Sequence, residues 1–327
     1  MTDMKKENGT SFAVDSENSV FASNPKPLRF SSDIIFPAVV RGVGLLTFLM
    51  VFFFFVVMIY QGMRVFEFLT PSDLLFSHRG GERVFEWYPV SQDPRYSVVP
   101  LLFGTLLTAV PATLISTLFG VGAGIYISEF APYSLRGVLN HLIDLFSSLP
   151  TVAVGFMFLT IVATFFSDLF NPASRLNAAL SALGLSMIII PQIAGLTGDA
   201  LRAVPRETRL AAYSLGAGKW RTVKDVVLPA AVSGITASII LGFGRAIGDT
   251  MIVLMISGNA DNLLLDPFSS VRTMTATIAA ELGEVSSGTA HFHALFFIGL
   301  ILFTMSIILN LAVRWLVRRF AGTKRWR

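Results

Sequence analysis

Asp199 to Ala231 reads DALRAVPRETRLAAYSLGAGKWRTVKDVVLPAA, a polar, basic segment set between two long apolar runs. Pro205 can open a helix, Arg206 to Leu215 continues it with good helix formers, and Gly216 and Gly218 let the backbone turn. In Lys219 to Leu228 the apolar residues Trp220, Val223, Val226 and Val227 recur at spacings of three and four. They oppose Lys219, Arg221, Lys224 and Asp225, so this half predicts a second, amphipathic helix. Pro229 is expected to stop it. A helix, a glycine turn and an amphipathic helix make a unit that can dock in a partner's groove.

Working outward, apolar runs long enough to cross a hydrocarbon core of ~30 Å lie near 42–60, 101–127, 145–166, 178–197, 231–257 and 294–313. The first holds no charge and contains Phe52, Phe53, Phe54 and Phe55. It starts some forty residues in, behind a polar segment, which reads as a retained helix instead of a cleaved signal peptide. Of the 327 residues, 53% are hydrophobic and only 14% charged, and mean hydropathy is +0.67, outside the range of a soluble domain. An all-α integral membrane fold with six transmembrane helices is therefore expected. The connections on one side hold 18 Lys and Arg and those on the other 6, with only Arg245 inside a span. By the positive-inside rule both termini and the 199–230 loop are cytoplasmic.

The expected organisation is a polar, disordered cytoplasmic tail over 1–33, a first span over 34–66, and an extracytoplasmic loop over 67–100. A core over 101–313 and a basic cytoplasmic tail over 314–327 follow. In the extracytoplasmic loop, Trp87, Tyr88 and Tyr96 suit an interfacial aromatic belt or a structured cap. With no cysteine in the chain, thiolate metal sites and cysteine nucleophiles are excluded. The net charge of +4 is too scattered to suggest nucleic acid as a partner. His291 and His293, with Glu281 and Glu284 upstream, read as an interfacial polar cluster and not as a metal site. The chain also lacks a phosphate-binding loop of the P-loop pattern, so ATP chemistry must come from a partner.

The 199–231 segment resembles the signature loop of type I ABC importer permeases: Glu-Ala-Ala, three residues, Gly, nine residues, Ile, one residue, Leu-Pro. Ala211, Ala212, Gly216, Val226, Leu228 and Pro229 stand at those offsets. Leu210 stands where that family has Glu, and Glu207 lies one turn earlier as a substitute. The resemblance implies a MetI-like permease fold in which Glu207, Ala211, Ala212, Gly216, Val226, Leu228 and Pro229 couple to an ATPase. A membrane-surface helix bound to anionic lipid is the alternative from the residues alone.

Leu241 to Asn259 reads LGFGRAIGDTMIVLMISGN and puts Arg245 and Asp249 in the fifth apolar run, where each charge costs about 2.5–3.5 kcal/mol on translocon scales. Four residues apart on one helix, they would share a face and partly neutralise each other. Two readings stay open: a structural ion pair, or a water-accessible path with Arg245 offering its fork to an oxyanion. Gly242, Gly244 and Gly248 would allow close approach to a neighbouring helix. The string Gly242, Gly244, Arg245, Ala246, Gly248, Asp249, Thr250, Met251, Gly258 and Asn259 resembles the PstC-type branch of phosphate permeases, with Asp249 where that branch has Glu. Gly104, Thr105, Thr108, Pro111, Gly120, Glu129, Pro132, Pro150 and Gly155 match further pieces of the same branch. Pro150 and Gly155 read as a helix kink or gate, or as simple packing.

What this resemblance implies is a permease subunit, not an enzyme, in the cytoplasmic (inner) membrane, translocating inorganic phosphate with Arg245, Asp249 and Thr250 on the path. Its implied partners are a second, PstA-type permease, two PstB-type ATPases, a PstS-type phosphate-binding protein and membrane lipid. No cofactor is expected in this chain, ATP and magnesium being bound by the ATPase. A permease for sulfate, molybdate or tungstate, or a non-transporting membrane scaffold, are the alternatives.

Overall fold

The computed structural model describes residues 32–261, 263 and 265–322, so residues 1–31 of the tail expected over 1–33 lie outside the described residues, while its last two positions, Ser32 and Asp33, begin a helix. Among these residues six helical stretches are long and apolar enough to cross a membrane: Phe36–Glu67, Val99–Phe130, Thr151–Phe170, Ala178–Arg202, Lys219–Gly248 and Ala290–Val317. The chain divides into two units, one ending at Phe55 and one starting at Val56. The described part of the first is helix alone, the beginning of α1 (Ser32–Met63), with the Phe48 and Phe52 rings stacked 6.3 Å apart one turn from each other.

In the second unit, α1 leads through a tight 3-10 turn (Arg64–Glu67) to α2 (Pro71–Leu75). Asp73 Oδ2 accepts from the Thr70 N–H at 2.9 Å to start α2. Two short hairpins follow, β1 (Ser77–Arg79) with β2 (Glu82–Val84), then β3 (Trp87–Tyr88) with β4 (Arg95–Tyr96). Of the two readings of this loop the structure gives the cap: Trp87 is fully buried and the Tyr96 ring meets it edge-on at 5.9 Å, while Tyr88 is exposed. Val65, Leu74, Trp87, Val98, Leu101, Met274, Leu295 and Ile298 form the core beneath it.

The second span, α3 (Val99–Ile125), ends in a π turn (Tyr126–Phe130), where Ala131 N–H reaches back five residues to Tyr126 O at 2.8 Å. An amphipathic helix, α4 (Tyr133–Ser147), comes next. The third span then starts at Thr151, later than the apolar run suggests. It comprises α5 (Thr151–Met157), a π turn (Phe158–Val162) and α6 (Ala163–Phe170). The fourth, α7 (Ala178–Arg202), is capped by Asn177, whose Oδ1 accepts from the Leu180 N–H at 2.8 Å.

Helix α7 is the centre of the bundle. Helix α3 packs along it, and α4, α10 and α11 lie against its other faces. Leu180, Leu185, Ile188, Ile189 and Ile193 are fully buried there. Lipid is as apolar as these side chains, so association rests on close van der Waals fit. Gly120 and Gly124 of α3 supply it, since a Cβ on either would come within 3 Å of an α7 carbonyl oxygen.

The loop segment holds α8 (Arg206–Ser214) and α9 (Lys219–Thr222), as expected, with Gly216 between them. Pro229, however, does not stop the second helix. A π turn (Val223–Val227) carries α9 into α10 (Leu228–Gly248) without a break, so Lys219–Gly248 is one continuous helix. Leu228 N–H pairs five residues back with Val223 O, and Pro229 falls in the first turn after this wide turn, where a proline without an N–H is tolerated. The fifth span also ends earlier than expected, at Gly248, and α11 (Met251–Ile256) is a separate helix. α12 (Met274–Glu281) and α13 (Ala290–Gly322) complete the chain. Helix continues to Gly322, so most of the basic segment from Arg314 is helical; Lys324, Arg325 and Arg327 lie outside the described residues.

Candidate functional site

The loop between α7 and α10 is a hairpin of helices. Pro205 is the cap residue of α8, and Gly216 takes φ +81° to reverse the chain, a conformation that costs an L side chain roughly 1–2 kcal/mol. The Gly216 N–H donates to Tyr213 O at 2.9 Å and the Ala217 N–H to Ala212 O at 3.1 Å, closing the end of α8. Ala212 is buried, as are Val223 and Val227; Val226 and Leu228 are half-buried. Glu207, Leu210, Ala211 and Ser214, at helical spacing, are exposed together, with Leu215 at 89% and Trp220 at 64%. Trp220 therefore leaves the buried stripe that its spacing predicts. The result is an outward apolar surface with Glu207 one turn from Leu210, on a loop fixed from behind.

What fixes it is Arg209, a residue the sequence reading did not single out. Its guanidinium donates to Leu201 O at 2.7 Å and to Val204 O, and pairs with Glu129 at the end of α3 at 2.9 Å. The adjacent Phe130 ring meets Trp220 at 5.9 Å and lies under the Lys219 ammonium at 5.4 Å. Eighty positions separate Glu129 from Arg209, and no local pattern links them.

The second part of the site is the break in the fifth span. Asp249 adopts extended backbone (φ −68°, ψ 136°) and Oδ1 accepts from the Ile252 N–H at 3.0 Å, starting α11. The span breaks only after Asp249, whose N–H still donates to Arg245 O at 3.0 Å, so the two residues stay one helical turn apart, while no ion pair within 4 Å joins them among the described residues. Arg245 instead donates to Gln192 Oε1 of α7 at 3.0 Å, its one hydrogen bond among the described residues. Gln192, beside Pro191 in an apolar span, was a signal the sequence offered and the motif reading passed over. Asp249 O accepts from Thr275 Oγ1 of α12 at 2.8 Å, and Thr250 is half-buried at the start of α11. Gly242 packs on Ile189 and Ile193, as close approach requires, but Gly244 and Gly248 face open space within this chain.

Pro150 is not a kink inside a helix: it caps α5, with φ −61° and ψ 128°, between α4 and the third span. Gly155 does permit close approach, since a Cβ there would sit 2.8 Å from Met255 Sδ and 3.5 Å from Ile252 Cα, so α5 packs directly on α11 below the break. At the other end of α12, Glu281 gathers three partners: Arg272 at 2.9 Å, His291 Nε2 at 2.9 Å and the buried Trp87 Nε1 at 3.0 Å. Arg272 also donates twice to Asn259 O, which follows the left-handed Gly258. His293 is apart from this group, with Nδ1 2.9 Å from Gln61 O. No cluster able to hold a metal ion occurs among the described residues. Burial in the cap pushes the Tyr96 phenol up.

Residues 116–322 match the family described as binding-protein-dependent transport system inner membrane component. A probable ABC transporter permease protein, YqgH of Bacillus subtilis, is 31% identical over 233 residues, covering 71% of this chain and 75% of that one. The phosphate transport system permease protein PstC 1 of Mycobacterium tuberculosis is 31% identical over 250 residues, 70% of this chain and 74% of that one. Among solved structures, a chain of the MetNI methionine ABC transporter in an inward-facing conformation superposes with a TM-score of 0.54 at 15% identity, covering 68% of this chain and 95% of that one.

Proposed function

We propose, from the premise that this chain belongs to the family of binding-protein-dependent transport system inner membrane components, that the substrate it passes is inorganic phosphate. Membership makes it a multi-span permease subunit of an ABC importer with a MetI-like fold, working with ATPase subunits, a second permease and a substrate-binding protein. It is homologous to PstC-type permeases, which supports phosphate as the substrate and PstA-, PstB- and PstS-type proteins as partners. The 199–230 loop would then face the cytoplasm and the α2–β4 cap the outside, in line with the basic residues of the connections. No cofactor is assigned to this chain; ATP and magnesium belong to the ATPases.

The observation that carries the reading is Arg245 at the break of the fifth span. Its hydrogen-bond partner among the described residues is a neutral amide, so its other N–H groups are left for an anion. Thr250 and the turn at Asp249 lie one helical turn away, where a broken span interrupts regular hydrogen bonding, a feature tolerated at membrane depth where it lines a cavity. Arg245→Ala is expected to reduce labelled-phosphate uptake by about tenfold or more, the scale of one lost charge-assisted contact, in a complex that still assembles. Unchanged phosphate uptake would remove Arg245 from the path. Loss of assembly would make the Arg245–Gln192 contact structural, and sulfate uptake by the unaltered complex would redirect the substrate.

The exposed Glu207, Leu210, Ala211 and Leu215 support the loop as the surface that an ATPase grips, closure of the ATPases then pushing α8 and α9. Glu207→Lys is expected to weaken that grip, read as less ATPase co-purifying with the permease. Full retention of the ATPase with normal uptake would show that Glu207 does not stand in for the Glu missing at Leu210.

A further inference from the structure

We propose that Glu129 and Phe130, at the end of the second span, form the joint through which movement of the 199–230 loop passes into that span. The inference rests on reading that loop as the element the ATPases move. Glu129 holds the first helix of the loop through Arg209 at 2.9 Å, and Phe130 holds the second through Trp220 and Lys219. Two neighbouring residues thus grip both arms of the hairpin. Their side chains belong to a π turn that continues α3 directly, and α3 is the helix packed along the central α7. A push on either arm therefore arrives at the same point of the same span.

The electrostatics suit a strut more than a surface ornament. The Glu129 side chain is 10% exposed and that of Arg209 19%, so solvent screens the pair little. Arg209 is held on its other side by the Leu201 and Val204 carbonyls at the end of α7, which fixes the guanidinium before it meets the carboxylate. Glu129 also takes a contact from Ser128 Oγ at 3.3 Å. The π turn places a local departure from α geometry at the contact, as such turns often do at functional sites.

The test uses the whole complex with its ATPases, partner permease and binding protein in lipid vesicles. The chain has no cysteine, so Leu118→Cys on the second span and Phe165→Cys on the third, both exposed in this chain, can carry the pair of spin labels. With Glu129 intact, ATP is expected to change the distance between the labels. Glu129→Gln keeps the shape and an acceptor but loses the charge. It is expected to cut that nucleotide-driven change and the uptake per ATP hydrolysed by about tenfold, the scale of replacing a charge-assisted contact by a neutral one, while assembly and ATP hydrolysis continue. Glu129→Asp, which keeps the charge, is expected to recover part of both.

Wild-type distance changes in Glu129→Gln would overturn the joint, and so would a complex that fails to assemble, because the pair would then be structural alone. Gly216→Pro run beside it separates the two levels. If it leaves the distance change intact, the loop reading itself fails. If it removes the change and Glu129→Gln does not, only the joint fails.

Discussion

Gly216→Pro is expected to abolish uptake while leaving the protein inserted in the membrane at normal abundance. Proline fixes φ near −65°, whereas Gly216 needs +81°, and the ring removes the N–H that donates to Tyr213 O. The turn between α8 and α9 cannot form on those terms, at a local cost of about 3 kcal/mol or more. The loss falls on a segment outside the spans, so insertion is not touched. Gly216→Ala meets no steric neighbour and carries only the left-handed penalty of roughly 1–2 kcal/mol, so it should retain partial uptake. Uptake in cells beside immunodetection in the membrane fraction measures both. Normal uptake by Gly216→Pro would end the assignment of the loop as the coupling element.

Gly104→Ala should produce the second large effect, this time on stability. A Cβ at Gly104 would sit 2.1 Å from the Arg272 carbonyl oxygen, a backbone atom that cannot swing aside. Neighbouring Thr105 accepts from the Met274 N–H at 3.0 Å, so the same step of α3 both receives and fixes the start of α12. Forcing the two segments apart costs about 3 kcal/mol by the usual scale for overpacking, and it displaces Arg272 from Glu281 as well. A clear fall in the melting temperature of purified protein and a lower membrane abundance are the expected results. Gly122→Ala, about five helical turns further along the same helix with open space around it, is the matched control and should change neither. Equal melting temperatures for the two variants would mean that the Gly104 contact is not a constraint.

Much of this was legible because it is periodic or locally spaced. Runs of apolar residues mark the six spans, and the offsets from Ala211 to Pro229 mark the loop, since both are properties of one stretch of chain. Gly104 and Thr105 were visible only as a resemblance, and their physical reason is a contact with residues 272 and 274. One reading failed because it assumed that a helix obeys its ideal repeat. Pro229 looked like a stop, yet the wide turn before it absorbs the missing N–H. The remaining pieces join distant residues, Glu129 with Arg209, Arg245 with Gln192, and Trp87 with Glu281 across 194 positions. Side-chain type flagged some of these residues, but partnership between them is a property of the fold.

The three π turns among the described residues bear on how a chain of this kind can change length over generations. In an α-helix one residue more or less rotates everything beyond it by about 100°, which in a packed span exchanges buried and outward faces. A π turn already carries a surplus residue, so losing one there closes the turn to α geometry and leaves the helices on either side facing as before. Phe158–Val162, between α5 and α6, is such a place in the third span, and Val223–Val227 is one between the loop and the fifth. Single-residue gaps among relatives should gather at these turns, and a helix inherited with its surplus residue keeps a reserve for shifting register without being rebuilt.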